Sequence, residues 1–169
     1  MKNVLMVIAQ RMFRDEEYAE PKEVLEDHGV NVVTASERAG HCEGKLGMEA
    51  EASVSVADAE ALDYDAVVFV GGPGASAFFD DPASHALART AFDNGRVVAA
   101  ICIGPSTLAH AGLLDGVQAT AFESQRADLI EQGALWTGDS VTVDGRIITA
   151  NGPAAARRFG EAIAEAIGV

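Results

Sequence analysis

The sequence predicts an α/β fold: a doubly wound, mostly parallel sheet with helices on both faces. Three observations carry this. Short runs of β-branched and small apolar residues (Val4–Ala9, Val30–Ala35, Ala66–Val70, Val97–Ile101) recur along the chain. Patterns of helical period separate them. The runs are apolar throughout rather than alternating, as befits strands covered on both faces.

In chain order, Val4–Ala9 reads as a buried strand and Asp15–Asp27 as a helix, with Val24 and Leu25 inward and Gly29 as its stop. Pro21 would give up the bond to the Glu17 carbonyl, which suits a helix beginning near Glu16 or Glu17. Val30–Ala35 completes a β-α-β unit. Ser36–Ala52 is rich in glycine and charge and is expected to be loop with a short hairpin. Ser53–Val56 is expected as a short strand and Asp58–Leu62 as a short helix. Ala66–Val70 runs into Gly71-Gly72-Pro73-Gly74. Asp81-Pro82 opens a helix through Asn94, closed by Gly95. Beyond Val97–Ile101 come a helix over Ser106–Ala111, a strand over Gln118–Phe122 and a helix over Ser124–Gln132. Asp144-Gly145 marks a hairpin between Val141–Val143 and Arg146–Ala150. Pro153 opens a last helix in which Phe159, Ile163 and Ile167 recur every four residues. No linker or repeat interrupts the 169 residues, so residues 1–169 are expected to form one domain.

Composition bounds the function. Hydrophobic residues make up 49% of the chain and aromatics only 6%, so the core is expected to be aliphatic. The formal charge of −14 argues against nucleic acid, which needs a basic surface. With three lysines and 26 acidic residues, the chain suits a cytoplasm of high ionic strength, such as that of a salt-loving prokaryote. No apolar run reaches the eighteen or so residues that span a bilayer. The N-terminal segment lacks the features of a signal peptide, so a cytoplasmic location without membrane partners is expected. In such a compartment Cys42 and Cys102 are expected to be free thiols.

The chemistry concentrates at Cys102. A buried strand running into Cys102-Ile103-Gly104-Pro105 and then a helix is the pattern of a nucleophile elbow, in which a sharp turn lifts the side chain out of the sheet. Cysteine is also a common buried apolar residue, but glycine-proline directly after the thiol marks the tight turn. A following helix N-terminus would favour thiolate, so a thiol pKa below the free value of about 8.5 is expected. Gly72 and Ile103 can present N–H groups to a developing oxyanion. Asp15, Glu16, Glu17 and Glu20 read alike as acids complementing a helix N-terminus. His110 lies about 12 Å along the helix from the elbow, too far to serve as a base. His41-Cys42 has no partner pair, so no metal is expected. No phosphate-binding loop or other cofactor motif is present.

Ala99-Ala100-Ile101-Cys102-x-Gly104-Pro105 closely resembles the elbow of the ThiJ/PfpI family, whose superfamily includes the Parkinson-disease-associated deglycase. Phe13-x-Asp15-x-Glu17-x-x-x-Pro21, Val67–Gly72 and the segment from Val141 through Gly152-Pro153 resemble the family in order and spacing. The resemblance covers the whole chain. It implies a flavodoxin-like three-layer sandwich, self-association as a homodimer or hexamer, and no cofactor. It also implies that Glu17 is the acid partner of Cys102, protonated so that it donates to the sulfur.

Two departures bear on activity. The protease-named branch has histidine directly after the cysteine, where this chain has Ile103. The deglycase branch has one after the next strand, where this chain has Ala121 or Phe122. The expectation is therefore a cysteine-dependent enzyme acting on small reactive carbonyls or glycated adducts, a glyoxalase- or deglycase-type hydrolase or lyase. Cys102 would attack, Glu17 would move protons, and Gly72 and Ile103 would hold the oxyanion. The alternatives are a redox-sensing stress-response protein working through Cys102 oxidation, and an intracellular peptidase or amidase.

Overall fold

Strands β1 (Asn3–Val7), β2 (Arg11–Phe13), helix α1 (Asp15–Asp27) and β3 (Asn31–Ser36) open the chain, and the computed structural model describes residues 1–169. A hairpin of β4 (Gly40–Gly44) and β5 (Glu49–Ala52) follows, then the short β6 (Val54–Ser55). Next come β7 (Ala66–Phe69), α2 (Pro82–Asp93), β8 (Val97–Ile101) and α3 (Pro105–His110). The last third holds β9 (Gln118–Ala119), α4 (Arg126–Glu131), β10 (Leu135–Trp136), β11 (Val141–Asp144), β12 (Ile147–Ala150) and α5 (Ala156–Ala166).

Seven strands form the central sheet in the order β11-β12-β8-β7-β1-β3-β6, parallel throughout except for the β11–β12 hairpin. Every residue of β7, β8 and β12 is buried, as double-sided coverage requires. The connection β1→β3 runs one way across the sheet and β7→β8 the other. Right-handed crossovers therefore put α1 and α2 on opposite faces. Where the direction reverses, between β1 and β7, their carboxyl ends leave a crevice suited to a ligand site.

The helices follow local chemistry. Asp81 caps α2 by accepting from the Ser84 N–H, with Pro82 at the first helical position. Helix α1 spans Asp15–Asp27 as expected, beginning one or two residues before the start near Glu16 or Glu17 that Pro21 suggested. Pro21 sits inside the helix on the face toward α5, where Gly160 admits it: a Cβ at Gly160 would stand 2.8 Å from the Pro21 Cα. The proline ring thus packs at a helix contact, which offsets the missing bond to the Glu17 carbonyl.

The other departures are at the periphery. The hairpin expected within Ser36–Ala52 takes up most of that span, and β2, which carries no strand signal, joins it in a second sheet of order β2-β4-β5. Asp58–Leu62 is a turn held by the Ser55 hydroxyl, with one 3₁₀ turn at Ala61–Asp63. The Gln118 strand stops at Ala119, and its partner β10 was not foreseen. Pro153 opens a 3₁₀ turn before α5. Phe159 and Ile163 of α5, and Ile167 at its C-terminal cap, all face the core. No helix is long and apolar enough to cross a membrane.

Gly160→Leu should drive α1 and α5 apart and lower stability by about 1–3 kcal/mol through overpacking. Urea unfolding measures this, and an unchanged midpoint would show that the helix contact yields freely.

Candidate active site

Cys102 follows β8 directly and adopts φ 64°, in the left-handed region that a side chain with a Cβ disfavours. Hydrogen bonds hold the strained turn from both sides. The Cys102 N–H donates to the Ala150 carbonyl at 2.9 Å, the Phe122 N–H donates to the Cys102 carbonyl at 2.8 Å, and the Gly104 N–H closes onto Ile101 at 2.9 Å. Gly104 is required there, since a Cβ would lie 2.8 Å from the Phe69 carbonyl oxygen. The elbow read from the sequence is present.

Gly71 is the floor of the site. A Cβ at this position would meet both the Cys102 Cβ and Glu17 Oε1 at 2.5 Å. The next residue, Gly72, has φ 100° and packs against the backbone of Met12, Phe13 and Arg14. The Arg14 N–H donates to the Gly71 carbonyl at 2.9 Å, which fastens the start of α1 to the end of β7. The loop after β1, the glycine pair after β7 and the elbow after β8 thus converge at the carboxyl edge.

Glu17 is fully buried, and neither carboxyl oxygen has a hydrogen-bond partner of normal geometry. Burial pushes its pKa up to about 7, against the opposing influence of the Cys102 thiol, Arg14 and the Gly71 N–H. Cys102 is 9% exposed. Burial first, and the Glu17 charge second, push its thiol up to about 12. The Gly72 and Ile103 N–H groups act in the opposite direction on the sulfur. Neither donates to a carbonyl of the protein, and both face the sulfur, where an oxyanion would form.

This corrects one expectation: the thiol is not held below its free value. Helix α3 has six residues and supplies little dipole, while the sulfur lies buried beside a carboxyl. The pocket accommodates one negative charge. Thiolate forms when Glu17 carries the proton, and a carboxylate at Glu17 keeps the thiol protonated.

No histidine partners Cys102. His110 bridges Asp80 (2.7 Å) and Asp128 (2.8 Å), and these bonds raise its pKa against the lowering effect of burial. His85 Nε2 meets the Phe79 carbonyl at 2.6 Å, His28 the Val24 carbonyl at 2.8 Å, and His41 lies on the hairpin 3.9 Å from Glu49. Both cysteines are free thiols, and Cys42 is buried on the inner face of the hairpin. At the positions matching the deglycase-branch histidine, Ala121 is buried and Phe122 is half exposed. They line an open cleft of about 330 Å³ with Trp136 and Gly152.

Two roles escaped the sequence. The Asp15 carboxylate accepts from the Leu46 and Met48 N–H groups, each at 2.9 Å, and so ties the hairpin to α1 instead of complementing the helix. Arg14 pairs with Glu16 at 3.0 Å and supplies the positive charge nearest in effect to Glu17 and Cys102. Its signal was a lone arginine before three acids.

Comparison with known proteins agrees with this fold. The profile of the DJ-1/PfpI family matches residues 2–166. An uncharacterized protein of Methanocaldococcus jannaschii is 40% identical over 99% of this chain and 84% of its own. YraA of Bacillus subtilis, provisionally named a cysteine protease, is 32% identical over 90% of this chain and 91% of its own. The deglycase PfpI of Pyrococcus furiosus is 30% identical over 88% and 90%. A crystal structure of a ThiJ/PfpI domain protein from Brachyspira murdochii superposes with a TM-score of 0.96, at 33% identity, covering 98% of this chain and 95% of that one.

Two outcomes test the geometry. Because Glu17 is raised from 4.5 to about 7, the folded protein holds this proton where the unfolded chain has lost it. Its contribution to stability is present below pH 4.5 and is lost as pH rises through 7, about 3 kcal/mol in all. Urea unfolding should show that decline in the wild type and not in Glu17→Gln; parallel pH profiles would contradict it. Gly71→Ala should cost about 1–3 kcal/mol and abolish the inflection near pH 7 in Cys102 alkylation by iodoacetamide. An unaltered profile would mean that Gly71 does not set the Cys102–Glu17 approach.

Proposed function

From the premise that this chain belongs to the DJ-1/PfpI family, we propose that it is a cysteine-dependent enzyme of glyoxalase or deglycase type. Its substrates are small α-oxoaldehydes or the adducts they form with amines. The observation that carries this reading is the buried, unpartnered Glu17 carboxyl set against the strained Cys102, with two open N–H groups beside the sulfur.

The steps follow from one shared proton. Glu17 takes the Cys102 proton as the thiolate adds to the aldehyde carbon, forming the C–S bond. The carbonyl oxygen gains the charge, the Gly72 and Ile103 N–H groups hold it, and Glu17 returns the proton to give a hemithioacetal. The Glu17 carboxylate then removes the proton from the sulfur-bearing carbon and delivers it to the adjacent carbon. An α-hydroxy thioester results, and water cleaves it to the α-hydroxy acid and free thiol. Oxidation and reduction balance within the substrate, so no redox cofactor is consumed. A carboxyl with a pKa near 7 suits both halves of this transfer.

The same carboxyl favours a second reading, reversible oxidation of Cys102, because its unpaired oxygens could hold a sulfinate when protonated. Peptide cleavage ranks last: an amide carbonyl is a much weaker electrophile than an aldehyde, and no histidine stands beside Cys102 to activate the thiol against it. Self-association as a homodimer or hexamer belongs to the same proposal.

Methylglyoxal consumption with lactate formation tests it. Cys102→Ser should reduce the rate roughly a hundredfold or more. Equal rates would remove the enzyme reading, and peroxide oxidation of Cys102 without turnover would replace it with the sensor. Casein cleavage abolished by the same substitution would install the peptidase.

A further inference from the structure

At the same carboxyl edge of the sheet, beyond β1 and β3, lies a second cleft of about 210 Å³ lined by Gln10, Arg11, Arg38, His41 and Glu43. All five are polar. We propose that this cleft binds a phosphate group, independently of the cysteine chemistry.

The first argument is charge. The chain has 12 lysines and arginines against 26 acids, so nearly every cation could find a carboxylate. Arg11 and Arg38 are among seven cations outside any ion pair, and unlike Arg89, Arg96 and Arg146, which donate to backbone carbonyls, their guanidinium groups make no hydrogen bond within the protein. Glu43, which faces Arg11 across the β2–β4 register, leaves the pair unbridged and offsets only one of the two charges. Two guanidinium forks offer more N–H donors than one carboxylate can accept, and tetrahedral phosphate can use them.

The second argument is construction. Gln10 is only 8% exposed, and its side chain ties together the segments that carry the cations. Its Nε2 donates to the His41 carbonyl at 2.9 Å and reaches the Cys42 sulfur at 3.5 Å. Its Oε1 accepts from the Arg38 N–H at 3.2 Å, and its carbonyl accepts from the Glu43 N–H at 2.9 Å. One buried amide therefore fixes the floor of the cleft on three sides.

The third argument is strain. Met12 adopts φ 65°, and the β2–β4 register shifts between Arg11 and Phe13. Such a bulge re-aims side chains. It sends Phe13 into the core and leaves Arg11 at the cleft. The Arg11 carbonyl is pressed against Gly74, where a Cβ would collide with it. The same turn that seats Phe13 in the core therefore also leaves the Arg11 side chain at the cleft.

With neighbouring strands about 4.8 Å apart, the ends of β1 and β3 lie roughly 10–14 Å from the end of β8. A phosphate seated here leaves Cys102 unobstructed.

Titration calorimetry at constant ionic strength with inorganic phosphate, methyl phosphate and acetate tests the proposal. The wild type and Cys102→Ser should bind phosphate equally, which separates this cleft from the oxyanion site whatever becomes of the enzyme reading. The double variant Arg11→Ala/Arg38→Ala should lose about tenfold or more in affinity, and Glu43→Gln should gain. Methyl phosphate binding like inorganic phosphate identifies a monoester as the ligand, and binding of inorganic phosphate alone identifies the free ion. The proposal is overturned if the wild type shows no saturable phosphate binding, if the double variant binds as the wild type does, or if acetate binds as tightly as phosphate.

Discussion

The missing side chain at Gly71 is the constraint on which the site depends. Glu17 and Cys102 come from different strand ends on the two sides of β7, and only a residue without a Cβ lets them share one space. The sheet order sets this up: β1, β7 and β8 are neighbours, and their carboxyl ends open at the point where the winding reverses. The backbone of Arg14 is bonded to Gly71 itself, so the acid's loop and the floor move as one. Strain at Cys102 costs about 1–2 kcal/mol, and the bonds to Ala150 and Phe122 hold the residue there against it.

That proximity changes what activates the sulfur. A helix N-terminus would stabilise thiolate regardless of its neighbours, but α3 is short and the surroundings are apolar and acidic. Activation is instead conditional on Glu17 holding the proton. Burial makes this possible by lifting Glu17 to about 7, into the range where a carboxyl exchanges protons readily. Desolvation, usually the obstacle to a charged nucleophile, here supplies its proton acceptor.

The central fold was legible because buried parallel strands leave continuous apolar runs. Val97–Ile101 is a strand over that same range, and α1 spans Asp15–Asp27 as its period indicated. The outlying β2, β4 and β5 are mostly exposed or half exposed and carry charge, and β10 is only two residues long, so no periodicity marks them. Glu17 could not be told from Asp15, Glu16 or Glu20 by local sequence. Its burial comes from the packing of α1, and its isolation from a glycine some fifty residues away. Asp15 was misread for the same reason: its partners, Leu46 and Met48, lie in a hairpin with no strong sequence signal. Pro21 pointed to a later helix start because its packing partner, Gly160, is near the other end of the chain.

Only two residues other than glycine adopt positive φ, Met12 and Cys102, and both lie at the carboxyl edge. Regular structure elsewhere is unstrained, so these distortions are not a general consequence of a small aliphatic core. One holds the thiol against Glu17, and the other lies at the β2 register shift that separates the exposed Arg11 from the buried Phe13. Between them stand Gly71, Gly72 and Gly74, each occupied at its Cβ position by atoms of the neighbouring segments. The glycine-rich turn after β7 is therefore a shared support. It admits Glu17 toward the thiol on one side and the Arg11–Met12 bulge on the other, so two features remote from one another in sequence rest on one stretch of backbone.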